Sequence, residues 1–261
     1  RKKSMSEIMA IANQKGGVGK TTTAINLSAA LAEAEQKILV VDFDPQINAT
    51  TGLGIEVYDE TKTIIDAIHN PDNARNYIIR GIKNNLDIFA GSIELSSLET
   101  ELLGKDNREK ELKKVLDPLR SDYDFIIIDC PPAVGIITVN ALVASDASII
   151  PVQCEYFSLE GLKQVLSAID LVRGGMNPDL KIEGLLFTMY DARTRLAQDV
   201  VSMIRENITD VNIFETMIPR NIRLAEAPSN GVSILEYDSS SVGADRYRKL
   251  AAEILKKNSV G

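Results

Sequence analysis

The chain predicts an α/β fold: a single doubly wound, mostly parallel sheet with helices on both faces. Two observations carry that expectation. Short apolar runs alternate with longer segments of helical periodicity along nearly the whole length, the order in which strand–helix–strand units build a parallel sheet. The first apolar run also empties into a glycine-rich loop that opens a helix. That local order is what makes a phosphate-loop match credible.

The elements follow in order. "IMAIAN" (8–13) reads as a buried strand. After the glycine loop comes a helix with Leu27, Ala30 and Leu31 on one face. "KILVVDF" (37–43) is apolar without alternation, which suits a parallel strand covered on both sides. Further strands are expected at 86–91, 125–129, 147–152, 183–189 and 212–219. Helices are expected at 95–119, 135–145, 158–173 and 196–207, and a last helix at 242–257 closes the chain. Residues 1–7 are expected to form a flexible extension, with Met5 a plausible natural start. No repeat, low-complexity tract or linker interrupts the pattern, so 1–261 is expected to be one domain.

Composition bounds the function. The 261 residues are 44% hydrophobic, enough for a sizeable core. Two cysteines, Cys130 and Cys154, cannot make a disulfide framework or a four-ligand metal site alone; a reducing cytoplasm is the expected location. No apolar run approaches the roughly 20 residues of a membrane span, and the stretch before the loop is too short for a signal peptide. Net charge is −8. Residues 190–261 hold ten Lys+Arg and ten Asp+Glu, so the whole excess lies upstream. A neutral segment can still carry a local basic patch.

The chemistry begins at "KGGVGKTT". Gly16, Gly17 and Gly19 let backbone N–H groups curl around an anion, with Val18 between them. The helix starting near Lys20 aims its positive end at that anion. Lys20 offers a full charge to β- and γ-phosphates, Thr21 a hydroxyl to Mg²⁺, and Thr22 a contact to the α-phosphate. Two strands end in carboxylates. In "VVDFDPQ", Asp42 and Asp44 stand at i and i+2, on one side if the strand runs that far. "FIIIDCPP" ends in Asp129, which fits the aspartate that meets Mg²⁺ through water. Cys130 beside it reads as a small residue in a tight turn.

The loop departs from G-x-x-x-x-G-K-[ST]: Gln14 stands where glycine is needed, and Lys15 is extra. KGGxGK[ST] is the deviant phosphate loop, and here the chain resembles the ParA/MinD family of dimerising P-loop ATPases. The resemblance continues through "VVDFDPQINATTGLG", "FIIIDCPPAVGIITVNAL", "IIPVQCEYFSLEGL", "LLFTMYDARTRLAQDV", "IPRNIRLAEAPSNG" and "YDSSSVGADRYRKLAAEIL". It covers nearly the whole chain and looks like the ParA/Soj branch of chromosome and plasmid partition ATPases. Departures are Ile47 where the family usually has glycine, Ala133 where it has serine, and no proline after the aspartate of "YDSSSVGA".

The resemblance implies that Lys15 reaches the nucleotide of a partner subunit, so that two ATPs lie sandwiched in a homodimer. It implies that Asp44 orients the attacking water and that Asp42 sits nearer the Mg²⁺ shell. It places the adenine against Pro219 and Asn221. It implies that the ATP dimer binds double-stranded DNA without sequence preference, through Arg193 and Arg220, with Arg195, Arg223, Arg246, Arg248 and Lys249 as further candidates. With no Trp and few aromatics, the expected contact is to phosphate only. A ParB-like centromere-binding partner is expected to stimulate slow hydrolysis of ATP, and the protein to associate with the nucleoid. Two alternatives are a MinD-like ATPase recruited to a membrane and an iron–sulfur relative bridging a cluster. The last helix has no Phe or Trp after Tyr247 and no C-x-x-C exists, so neither membrane nor cluster is expected.

Overall fold

A computed structural model describes residues 6–156 and 158–258. β1 (Glu7–Ile11) leads through the glycine loop to α1 (Lys20–Glu33). β2 (Ile38–Asp42) is followed by the short helices α2 (Asn48–Gly52) and α3 (Ile64–His69). A hairpin, β3 (Ile79–Lys83) and β4 (Leu86–Phe89), precedes α4 (Leu95–Glu101) and α5 (Glu111–Leu116). Then β5 (Phe125–Asp129), α6 (Ile136–Ala144), β6 (Ala147–Gln153), α7 (Ser158–Arg173), β7 (Lys181–Thr188) and α8 (Arg195–Asn207) alternate. α9 (Ile222–Glu226), α10 (Ile234–Tyr237) and α11 (Val242–Asn258) finish the described chain.

These strands form one sheet in the order β3-β4-β2-β5-β1-β6-β7, parallel except where β3 meets β4. The chain leaves β1 toward one edge, returns beside it as β5, and builds β6 and β7 on the other side. The carboxyl end of β1 therefore lies at the switch point where such sheets bind ligands. β2 and β5 are buried at every position, as their unbroken apolar runs require. Alternate residues serve opposite layers. Leu39, Val41, Ile126 and Ile128 pack with α5–α8, while Ile38, Val40, Phe125 and Ile127 pack with α1 and α11. Each such fully buried aliphatic side chain contributes about 1.5–3 kcal/mol.

Three expectations need correction, and one strand was not foreseen. The helix expected over 95–119 is broken: Gly104 and Asn107 take left-handed backbone (φ 81° and 56°), and α5 starts only at Glu111. The strand expected at 212–219 is an extended connection joined to the β7 segment by isolated bridges, Leu185 within the strand to Ile213 and Tyr190 beyond it to Pro219. In its middle the N–H groups of Glu215 and Thr216 donate to the Glu253 carboxylate (2.8 and 3.2 Å), not to a strand. The flexible extension cannot reach residue 7: Glu7 opens β1, and the buried Ser6 accepts from Arg120 Nη1 at 2.8 Å. Residues 1–5 lie outside the described residues. The edge strand β3 was not anticipated, because "IRGIK" is short, charged and interrupted by glycine.

Candidate functional site

The loop after β1 is pinned at both ends. Asn13, buried, donates from Nδ2 to the Pro151 carbonyl on β6 (2.7 Å) and accepts the Lys15 N–H on Oδ1 (3.0 Å). Thr188, at the end of β7, donates to the Val18 carbonyl (2.8 Å). Between them Gly17 and Gly19 hold φ of 74° and 89°, where a β-carbon is strained. Gly16 and Gly17 are exposed, and Thr21 and Thr22 are half-buried at the start of α1. No side chain caps that end of α1, so its first N–H groups face the loop and favour an anion there.

The two lysines of the loop live differently. Lys20 is 6% exposed, and its ammonium donates to the Lys15 carbonyl (3.1 Å). Burial pushes its pKa down, against the pull of Asp129, Cys130 and Asp44. Lys15 points outward and pairs with Glu155 Oε2 at 2.7 Å. Both partners are about half-exposed, at 39% and 48%, so the pair contributes at most about 1 kcal/mol and is easily exchanged.

Asp42 and Asp129 are register partners at the ends of β2 and β5. Both continue the residue series that faces α1, which turns them toward the loop. Asp42 Oδ2 accepts from the Thr50 hydroxyl (2.6 Å) and the Thr50 N–H (2.8 Å). Burial still raises its pKa to about 6. Neither oxygen of Asp129 has a hydrogen-bond partner among the described residues, and its side chain is fully buried. Burial, then repulsion from Asp42, lifts its pKa well above the carboxylate range, opposed by the Thr21 hydroxyl, which stands near without meeting hydrogen-bond geometry, and by Lys20. Orphaned buried oxygens are rare because they cost free energy; these fit a cation or its water shell. No cluster of three or more His, Cys, Asp or Glu able to hold a metal exists among the described residues. A divalent ion here would draw on the Thr21 hydroxyl, phosphate oxygens and water, which is the habit of Mg²⁺.

Asp44 lies beyond β2, so strand alternation does not set its direction. A turn does: its Oδ1 accepts from Gln46 N–H (2.9 Å) and its carbonyl from Ile47 N–H (2.9 Å). The turn buries Asp44 close enough to Lys20 for their charges to interact. Ile47 then takes left-handed backbone, φ 50° and ψ 29°. For a β-branched residue that is an outlier, and it explains why glycine suits the position.

Pro219 and Asn221 line a cavity of about 220 Å³ beside Gly19 and Thr22, closed by Met189, Leu224 and Tyr247. Asn221 Oδ1 caps α9 through the Arg223 N–H (2.8 Å), which leaves its Nδ2 for a ligand. The basic candidates are scattered and mostly engaged. Arg193 is paired twice with Asp191 (2.9 and 2.8 Å), Arg248 twice with Glu33 (2.6 and 2.9 Å) and Lys249 with Asp245 (2.8 Å). Arg223 meets Glu226 (3.2 Å), and Arg195 lies 3.7 Å from Asp199. Arg220 and Arg246 have no ion pair within 4.0 Å among the described residues, and with Arg193 they line one cavity of about 470 Å³.

Sequence reasoning missed Asn13, Thr50, Thr188 and Tyr247. Asn13 adjoins the loop and could have been read as its anchor. Thr50 lies eight residues past Asp42 but on another element, and Thr188 and Tyr247 come from distant segments; no local signal marks them.

A family model described as an AAA domain matches residues 6–182. Over 250 residues the chain is 48% identical to the sporulation initiation inhibitor protein Soj of Bacillus subtilis, covering 96% of this chain and 98% of that one. It is 47% identical over 254 residues to the chromosome partitioning protein ParA of Myxococcus xanthus, covering 97% and 89%. Among solved structures, cobyrinic acid a,c-diamide synthase of Mycobacterium smegmatis with bound ADP and magnesium matches with a TM-score of 0.84 at 33% identity, covering 98% and 96%.

Proposed function

The chain belongs to the ParA/Soj family of partition ATPases, and from that premise we propose that it is a Mg²⁺-dependent ATPase switch for DNA segregation. The observation that carries the reading is a buried ammonium held by a single carbonyl (Lys20), within electrostatic reach of a fully buried carboxylate that has no hydrogen-bond partner among the described residues (Asp129), beside a glycine loop. The curated relatives share about half of the sequence over nearly its full length. They therefore weigh more than the structural neighbour at 33% identity.

In this reading the loop amides of Gly16–Gly19 and the Lys20 ammonium hold the β- and γ-phosphates, Lys20 leaving the Lys15 carbonyl to do so. Thr22 meets the α-phosphate, and Pro219 and Asn221 the adenine. The Thr21 hydroxyl would ligate Mg²⁺, and Asp42 and Asp129 would hold its water ligands. The bound ion offsets the phosphate charge. Asp44 accepts a hydrogen bond from the attacking water and orients it in line with the γ-phosphorus. Lys15, released from Glu155, enters the partner subunit's site and meets the charge that develops in phosphoryl transfer. Hydrolysis is slow until a ParB-like centromere-binding partner stimulates it.

The ATP dimer binds duplex DNA through Arg193, Arg220 and their basic neighbours, without sequence preference, in the cytoplasm at the nucleoid. The packing of α11 supports this reading over a MinD-like membrane anchor. Tyr247, Leu250 and Ile254 are buried in the core at 1%, 0% and 0% exposure, so their apolar face is not available to lipid. No helix among the described residues is long and apolar enough to cross a membrane.

The test is co-sedimentation with plasmid DNA and with anionic liposomes, in ATP and in ADP, alongside light scattering. DNA binding and dimers in ATP alone are expected. Lys15→Gln should bind nucleotide and stay monomeric. Equal DNA binding in both nucleotides, or binding to liposomes instead, would sink the reading.

A further inference from the structure

We infer that Thr50 is a positioning residue for the metal: its hydroxyl and N–H clamp one oxygen of Asp42 so that the other faces the Mg²⁺ water shell. The inference rests on the proposed Mg²⁺ site and extends it to a residue on a different element.

The geometry leaves the Thr50 hydroxyl no choice of direction. Its oxygen accepts the Gly91 N–H at 2.8 Å, just past β4. A hydroxyl has one hydrogen, and this one lies toward Asp42 Oδ2 at 2.6 Å. The Thr50 N–H, in the first turn of α2, donates to the same oxygen at 2.8 Å. Oδ2 is therefore occupied twice by one residue. Oδ1 receives only the Asp44 N–H at 3.4 Å, a long contact that leaves lone pairs for an outside donor.

Three elements meet at this point. Thr50 and Asp42 are both 0% exposed, so no bulk water competes for the clamp. Gly91 permits the approach, since a β-carbon there would stand 2.8 Å from Asp42 Cγ. The carboxylate is thus wedged between α2 and the end of β4, opposite Asp129, whose oxygens have no hydrogen-bond partner among the described residues. Buried partners of this kind orient the groups around a metal, and losing one typically costs about tenfold or more in metal affinity. A purely structural threonine would change stability and leave metal demand alone.

The test uses the full chain with a fluorescent ADP, so that neither hydrolysis nor dimerisation enters. Nucleotide binding is measured in EDTA and then across a Mg²⁺ titration. Thr50→Val keeps the shape and removes the hydroxyl; Thr50→Ser keeps the hydroxyl. The expected result is equal binding in EDTA for all variants, a half-saturating Mg²⁺ concentration raised about tenfold in Thr50→Val, and one within about twofold of the parent in Thr50→Ser. If Thr50→Val does not fold, Thr50→Cys, similar in size and a weak donor, replaces it with the same expected direction. A parental Mg²⁺ requirement in the folded variant overturns the clamp, whatever its melting temperature. Asp42→Asn separates the two levels. A parental requirement in Asp42→Asn fells the metal reading itself, whereas a shift there without one in Thr50→Val fells the clamp alone.

Discussion

Two regions of the molecule carry the charge on which the proposed function rests, and they solve the problem of charge in opposite ways. At the loop end, Lys20, Asp42 and Asp129 are buried: a lysine on one carbonyl, an aspartate held on one oxygen by Thr50, and an aspartate with no hydrogen-bond partner among the described residues. On the arginine surface, Arg193, Arg248 and Lys249 are exposed or half-exposed and already neutralised by their own neighbours. A ligand at the first region relieves a cost that folding has left in place. A ligand at the second must displace local ion pairs, each about 0–1 kcal/mol. On the proposed function, the first region holds nucleotide and Mg²⁺ tightly, and the second binds DNA weakly and reversibly.

The contrast can be broken most sharply at Lys20. Lys20→Ala should weaken ATP binding by at least about 3 kcal/mol, over a hundredfold, since a buried charged hydrogen-bond partner of phosphate is lost. Calorimetry measures it, and a tenfold loss or less would place Lys20 with the surface charges.

Next comes the acid pair, in protein free of nucleotide and Mg²⁺. The folded pKa of Asp42 is raised, from 3.8 to about 6. Its protonated form is therefore favoured by folding, and that stability is present below about pH 4 and lost as pH rises through about 6. Asp42→Asn removes the loss, so it should stabilise the empty protein at pH 8 on the order of 2–3 kcal/mol and change little at pH 4. Denaturant melts at the two pH values decide. A variant destabilised at pH 8 would show that the pair is compensated after all.

Strain belongs to the same end. Ile47→Gly should be more stable than Ile47→Ala by about 1 kcal/mol, because only glycine relaxes at φ 50°. Equal melting temperatures would remove strain from the description of this turn.

The smallest effects are expected outside. In the ATP dimer, Arg220→Ala should flatten the slope of log DNA affinity against log salt by about 2, one phosphate per subunit. Arg193→Ala, whose guanidinium is shared with Asp191, should flatten it by less than about 1, and Asp191→Asn should strengthen DNA binding. A salt series on two unrelated duplexes tests all three. Equal slopes for the two arginine variants would erase the distinction between free and engaged cations.

Much of this was legible in the amino-acid order. The buried strands announce themselves as apolar runs, because a parallel strand covered on both faces has no polar side to show. The loop announces itself because glycine spacing, a lysine and a following helix are local requirements of one turn of chain. Asp42, Asp44 and Asp129 could be nominated as strand-end carboxylates for the same reason. What local order could not say was where strands stop and which distant groups meet. β2 ends at Asp42, so a turn and not alternation aims Asp44. The backbone donors of residues 215 and 216 are diverted to Glu253, which unmakes a strand that hydropathy favours. Arg193 has its acid two residues away, a pair the sequence already offers, whereas only the fold brings Arg220 and Arg246 into the same cavity. Thr50 reaches significance because the sheet order sets β4 beside β2, bringing Gly91, Asp42 and α2 to one point. Side-chain period and turn chemistry act over a few residues and can be read along the chain. Partnership across elements depends on strand order and register, which exist only once the sheet has formed.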